Sequence, residues 1–263
     1  IIRRRLFYRA DISKPAKAVG IALQKAAGGD GWSTSVYANL GTGRGAATLP
    51  DRVAETYPFH PDLFSLVSRE WTIVQAFQRV RSTVQIFART ALHWVREHEA
   101  GRWVPDLIGV GDLPLQTDVL ESVLSSGVLA GNDRAIQGYR AVATTDIINS
   151  GGGGGTAYNV DLRLSDDGVD VGQPHPAVRM ATACFAYSLV DRAQGVRGAT
   201  QAELMAAIHG VDVPYTGAEE TFNALTAPPN EGGMGALEHT ISADKRKAAK
   251  SRFYLSIKQT LKM

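Results

Sequence analysis

The stretch Phe77-Gln-Arg-Val-Arg-Ser-Thr-Val-Gln-Ile-Phe-Ala-Arg-Thr-Ala-Leu-His-Trp-Val-Arg-Glu-His-Glu99 decides the fold class. Phe77, Val80, Val84, Phe87, Ala88, Ala91, Leu92 and Val95 recur in it at helical spacings. That period predicts a long amphipathic helix, the central helix of the first half, with this stripe facing a core. Upstream, Leu49-Pro-Asp opens a short helix and Tyr57-Pro-Phe-His-Pro breaks it, because each proline pushes its predecessor out of the helical region. A further helix starts at Pro61 and runs to about Trp71, presenting Leu63, Leu66, Val67 and Trp71. Ser13-Lys-Pro-Ala supplies an N-cap and an early proline for a helix that Gly28-Gly-Asp-Gly ends after about Ala27. Between them, Trp32 to Thr48 is glycine-rich and aperiodic, and reads as a long loop.

Downstream, Asp106 to Asp112 reads as a short extended piece, Asp112 or Thr117 caps a helix through Leu124, and another helix covers Asn132 to Thr145. The five glycines Gly151 to Gly155 have the largest backbone entropy cost on ordering, so residues 150–155 read as a flexible tether between residues 1–149 and 156–263. Beyond it, Pro176 to Asp191 is helical with Val178, Ala181, Phe185 and Leu189 on one stripe. Thr200 followed by Glu203 fits a capping box for a helix through Ile208, and Thr216 to Leu225 forms a third. Two strand-like runs, Ala236 to Ile241 and Arg252 to Ile257, flank the polar stretch Ser242 to Lys250. Three helices and a hairpin make a winged helix. The expected fold is mainly α, a helical domain over residues 1–149 followed by a winged-helix domain over 156–263.

Composition bounds the function. With 44% hydrophobic and 21% charged residues in 263, the chain is that of an ordinary globular protein. Its longest apolar runs fall short of the roughly 20 residues needed to cross a bilayer. The expectation is a cytoplasmic protein with no membrane partner. A single cysteine, Cys184, excludes an intramolecular disulfide and a multi-cysteine metal site. Ile1-Ile2-Arg3 opens the chain without a methionine, so an excised piece of a larger protein is expected. Residues Asp244 to Met263 carry seven Lys/Arg against one acid, a net +6, which leaves −4 on the remaining 243 residues of a chain whose net charge is +2. Such a local cluster suits a focused anionic partner.

The motifs for chemistry are sparse. Gly41-Thr-Gly-Arg-Gly-Ala46 lacks the lysine that a phosphate-binding P-loop places after its last glycine, and no apolar strand precedes it. His93, Glu97 and His98 share a helix, but the histidines are five apart where a zinc protease needs four, so a solvated outer face is expected. Asp161 to Asp170 reads as an acidic loop without the alternating ligands of an EF-hand. No self-contained active site is visible. Lys245, Arg246, Lys247 and Lys250 sit where the wing of a winged helix touches phosphates, whereas Thr216-Gly-Ala-Glu-Glu-Thr carries two acids and no Lys or Arg, which argues against deep groove reading.

Three groups of residues resemble one family: Ile2-Arg-Arg-Arg-Leu-Phe7; Tyr57-Pro-Phe-His-Pro-Asp-Leu63 with Phe77-Gln-Arg-Val-Arg81; and Gly198-Ala-Thr-Gln-Ala-Glu-Leu204 with Arg252-Phe-Tyr-Leu-Ser256. In this order they resemble the bacterial AAA+-like P-loop ATPases known as domain of unknown function 499, related to ATPases of phage-growth-limitation and BREX-type defence. The resemblance implies a helical AAA+-type lid and a winged-helix domain lying after a nucleotide-binding core. ATP with Mg²⁺ would be held by that upstream ATPase core and not by this chain alone. It also implies a sensor arginine in the lid helix, Arg81, with Arg79 the alternative, reaching the γ-phosphate as a permanently charged donor. Ser82 stands where the family usually has glycine. DNA or other defence proteins are the expected partners. Two rival readings are a stand-alone winged-helix DNA-binding regulator and a protein-binding scaffold.

Overall fold

The computed structural model describes residues 11–29, 31–77, 79–148, 155–192, 196–240 and 252–257. Within them the protein is mainly helical. The first half contains α1 (Ser13–Ala27), α2 (Leu49–Thr56), α3 (Pro61–Ser65), α4 (Arg79–Glu99), α5 (Val119–Leu124) and α6 (Asp133–Val142). The second contains α7 (Thr156–Asp166), α8 (Pro176–Ser188), α9 (Gln201–Ala206) and α10 (Tyr215–Thr226). Two antiparallel ribbons complete it: β1 (Asp191–Arg192) with β2 (Val196–Arg197), and β3 (Leu237–Thr240) with β4 (Arg252–Leu255).

Helix α8 is the centre of the structure. Every residue from Pro176 to Ser188 except Val178 is buried, so the single stripe expected from the sequence is an all-round apolar surface. The alanines at 177, 181, 183 and 186 let neighbours approach closely, and Met180, Phe185 and Tyr187 fill the space between them. Each such large side chain taken out of water contributes about 1.5–3 kcal/mol. Around α8 pack α7, α9, α10, β4 and the tight turn Val110–Asp112. A Cβ on Gly111 in that turn would lie 2.6 Å from the Arg179 carbonyl oxygen, so the turn rests directly on the helix backbone.

The start of α8 is capped from another helix. His175, in the left-handed region at φ 51°, makes no capping bond. Asp161 of α7 accepts instead from Ala177 N (2.7 Å) and Val178 N (3.1 Å). These are two of the orphan donors of a helix start, and a carboxylate there also meets the positive end of the helix dipole. The acidic loop expected at 161–170 is therefore half helix: Asp161 is buried within α7 as a capping group.

Several expected elements stand as read. Asn132 caps α6 by accepting from Ala135 N, and Thr200 and Glu203 form the reciprocal capping box of α9. The β3–β4 register pairs Leu237 with Leu255 and Thr240 with Arg252, and Ala199 joins Phe253 through two backbone bonds. The segment Trp32 to Thr48 is more ordered than its composition suggested. It carries a wide helical turn at Trp32–Val36 and 3₁₀ turns at Tyr37–Asn39 and Ala46–Thr48, because Trp32, Val36 and Tyr37 are drawn into the core.

The core does not part at residues 150–155. One continuous cluster of buried side chains includes Phe87, Leu113 and Ile147 from before the glycines and Ala157, Phe185 and Leu204 from after them. Polar bonds cross as well: Trp32 Nε1 donates to Val213 O (3.0 Å), Tyr139 OH to Ser188 O (2.7 Å), and Arg179 Nε to Asp112 Oδ1 (2.6 Å). Among the described residues after the glycine run, four helices, not three, accompany the β3–β4 ribbon, α7 being the additional one.

Burial pushes the Asp161 carboxyl up to about 7, against the pull of its two backbone donors. The folded state then holds this proton more tightly than the unfolded chain, so the contribution is present at low pH and is lost as pH rises from about 4 through 7. We expect Asp161→Asn to remove that loss, making stability rise more steeply, or fall less, between pH 4.5 and 7.5 than in the wild type. Asp161→Ala removes the same titrating group together with the cap, and should cost about 1–2 kcal/mol at pH 4.5 and less at pH 7.5. Urea midpoints test both, and identical pH slopes would contradict the first.

Candidate functional site

Helix α4 carries the arginines singled out by the sequence. Its first turn follows Phe77, which is 3% exposed and meets the Trp71 ring edge-on at 6.3 Å. The buried face consists of Ser82, Thr83, Ile86, Phe87 and Thr90, with Phe87 against Phe59 (4.5 Å) and Phe64 (5.7 Å). This corrects the predicted stripe: Leu92 and Val95 are 48% and 51% exposed, and Val84, Ala88 and Ala91 are only partly covered. Three small hydroxyl residues occupy positions that a hydropathy count assigns to solvent. Arg81 lies on the exposed side, in line with Gln85, Leu92 and Val95 at helical spacing. Arg79 belongs to the same first turn, and its side chain lies outside the described residues.

The densest charge cluster was missed in the sequence. Asp62, the residue after the second proline of the Tyr57-to-Pro61 break, accepts from Arg44 Nε (3.2 Å), Arg44 Nη2 (2.9 Å) and Arg52 Nη2 (2.7 Å). Arg44 Nη1 reaches across to Glu203 Oε1 (2.9 Å), and Arg252 Nη1 approaches Glu203 Oε2 at 3.5 Å. Burial alone would raise the Asp62 carboxyl, but the guanidiniums of Arg44 and Arg52 hold it well below the usual carboxylate range. His60, largely covered beside it, is kept from protonating chiefly by desolvation, and its Nδ1 accepts from Asp62 N (3.2 Å). Thus the glycine-rich loop weighed and rejected as a phosphate cradle delivers Arg44 to a buried carboxylate. The chain runs Arg52 to Asp62 to Arg44 to Glu203 to Arg252, and its last bonds tie the α9 capping box to β4. The signal available in the sequence was Arg44 itself, a lone cation among glycines. Beside the network lies a polar cleft of about 550 Å³, with Glu55, Ser65 and Arg69 in its wall.

Histidine placement also differs from expectation. His98 is exposed, but His93 is half-buried and Glu97 is engaged by Arg102 through Nη2 (2.7 Å) and Nε. Among the described residues no three His, Cys, Asp or Glu side chains gather as metal ligands. Cys184 is buried in α8, and burial pushes its thiol up to about 12. Lys245, Arg246, Lys247 and Lys250 lie outside the described residues; the β3–β4 register on either side brackets their segment. In α10, Glu219 accepts from Tyr215 OH (2.7 Å).

No family model, curated protein or solved structure matches the chain. Among the described residues no helix is long and apolar enough to cross a membrane.

The two kinds of arginine should respond differently to substitution. Arg44→Met leaves two buried carboxylates short of a partner and is expected to cost about 3–5 kcal/mol, whereas Arg81→Ala should change stability by no more than about 0.5 kcal/mol. Chemical denaturation distinguishes them. A large loss in Arg81→Ala would mean that its side chain supports the fold.

Proposed function

We propose that this chain is the lid and winged-helix portion of a cytoplasmic P-loop ATPase of anti-phage defence, coupling the nucleotide state to DNA or to a partner protein. The observation that carries the reading is the placement of Arg81. It is an exposed, permanent cation in the first turns of the longest helix, and the opposite face of that helix is anchored by Ile86 and Phe87. A guanidinium held so can reach a phosphate supplied from outside without uncovering any of the core. Of the groups that would contact ATP and Mg²⁺, this chain offers that arginine, with Arg79 beside it; the upstream core would supply the rest. Bound there, the triphosphate brings the charge that a sensor arginine stabilises as phosphoryl transfer proceeds.

The arrangement of helices and ribbons supports the second half of the proposal. The reading is supported by the order of α8, the short β1–β2 ribbon, α9, α10 and the β3–β4 ribbon, since three helices and a hairpin are the parts of a winged helix. The sequence between β3 and β4 contains the cations Lys245, Arg246, Lys247 and Lys250, the residue type with which a wing would meet phosphates. The ion-pair chain from Arg52 to Arg252 gives the two halves a mechanical connection, since Arg44 and Glu203 come from opposite sides of the glycine run.

The test uses the protein carrying both its P-loop core and this chain. Arg81→Ala should lower ATP hydrolysis by about 10²-fold or more while ATP still binds, following the size of arginine contributions to phosphoryl transfer. Turnover equal to wild type would refute the sensor assignment. If Arg79→Ala alone abolished hydrolysis, the role would pass to that residue.

A further inference from the structure

A second feature owes nothing to phosphate chemistry. A cavity of about 690 Å³ opens where the C-terminal half of α4, the turn following Val110, the end of the 143–148 segment and the start of α8 converge. Its apolar wall includes Trp94, Leu115, Ile147, Ile148 and Val178. The polar wall is ordered. Trp94 Nε1 donates to Asp112 O (2.8 Å), and Asp112 takes Gly109 N (2.7 Å) on one carboxylate oxygen and Arg179 Nε (2.6 Å) on the other. The guanidinium of Arg179 lies 4.8 Å over the Trp103 ring, whose plane stands edge-on to Trp94 at 6.0 Å.

Two properties of this wall define what would occupy it. The first is a donor in excess: Arg179 lies between this cavity and a cleft of about 60 Å³ beside Trp103 and His209, its side chain is 9% exposed, and its Nη1 is buried without a hydrogen-bond partner. Such a group costs about 1–3 kcal/mol until an acceptor reaches it. The second is charge neutrality. Asp112 balances Arg179, Glu97 balances Arg102, and burial disfavours protonation of both His93 and His175. A net ionic ligand would find no counter-charge, whereas flat aromatic surface would meet the two indoles and the aliphatic wall. The volume falls within the range of pockets that enclose small organic ligands.

We infer that this cavity is a binding site for a planar, uncharged aromatic or heteroaromatic molecule bearing a carbonyl-type acceptor, which Arg179 engages from its edge. Trp94 and Trp103 supply ring contacts, and Val178 closes the aliphatic side. The sequence hides the site because its walls come from five separated segments, and because His93 and Glu97 look like part of a solvated helix face.

Nile red is a suitable probe, being flat, uncharged and equipped with a ring carbonyl. We expect saturable binding of one molecule per chain with a blue-shifted rise in emission, weakened at least tenfold by Val178→Trp, which fills the cavity from its rim. Leu92→Asp with Val95→Asp, on the exposed face of α4, should leave binding unchanged. The acceptor requirement is read without altering the protein: fluorenone should displace the dye at least tenfold more effectively than fluorene, which has the same shape without the oxygen. Absence of saturable binding, or a Val178→Trp protein that melts like wild type and binds as well, would overturn the site. Equal displacement by the two competitors would overturn the role given to Arg179. Tighter binding of the anionic dye anilinonaphthalene sulfonate than of Nile red would overturn the preference for uncharged ligands.

Discussion

A helix buried on every side can be oriented only by what grips its ends and by what packs between its turns, and α8 is held in both ways. Asp161 holds its first turn, Tyr139 OH donates to the Ser188 carbonyl at its last, and Ser188 Oγ accepts from Leu255 N of β4. The elements that supply these groups lie on both sides of the glycine run. Removing any one exposes backbone groups in an apolar interior, which is costly in a way that a lost surface contact is not. The position of the Val110–Asp112 turn follows from the same constraint, because Gly111 lets it lie against the helix backbone where Arg179 can bond Asp112. The aromatic cavity is a by-product of that meeting: the turn, α4 and α8 leave a space whose walls are fixed by bonds made for structural reasons.

The buried ion pairs play a different part. Arg44 serves two carboxylates, Asp62 and Glu203, from a loop with little regular structure of its own. Pairs of this kind give modest net stability, because desolvation offsets most of the attraction, but they penalise every arrangement in which one partner is withdrawn. The consequence is register: the loop at 41–48, the start of α3 and the α9 capping box are fixed relative to one another. Against this tied framework Arg81 stands out as an exposed cation on a helix anchored by its opposite face.

What was legible in the sequence was whatever local chemistry decides. Asn132, and Thr200 with Glu203, announce helix starts because the capping groups lie within three residues of the donors they satisfy, whereas Ser13, expected as the cap of α1, is its first helical residue and donates through N and Oγ to Asp11 Oδ1. Prolines 58 and 61 mark the break before α3 for the same reason. What failed was decided by distant partners. Asp161 looks like an acidic loop residue until the unsatisfied start of α8 is brought to it, and Trp32, Val36 and Tyr37 sit in a glycine-rich stretch whose order comes from contacts with Val213 and His209. Around α4 the hydropathy pattern was right for Phe77 and Phe87, which are buried, and wrong further along, since Ser82, Thr83 and Thr90 face the core while Leu92 and Val95 face outward. Arg81 is a candidate that its helix and the residues around it suggest from sequence, whereas neither the Asp62 network nor the cavity has a local signature.

The central claim is that α8 organises one core shared by the segments before and after residues 150–155. Native-state hydrogen exchange monitored by mass spectrometry tests it most directly. The account predicts that amides of α8 exchange slowest, and that α4, α7 and α8 reach the same opening free energy and shift together as denaturant is added. If residues 79–148 and 156–226 opened as two units with distinct free energies and distinct denaturant dependence, the shared core would be contradicted.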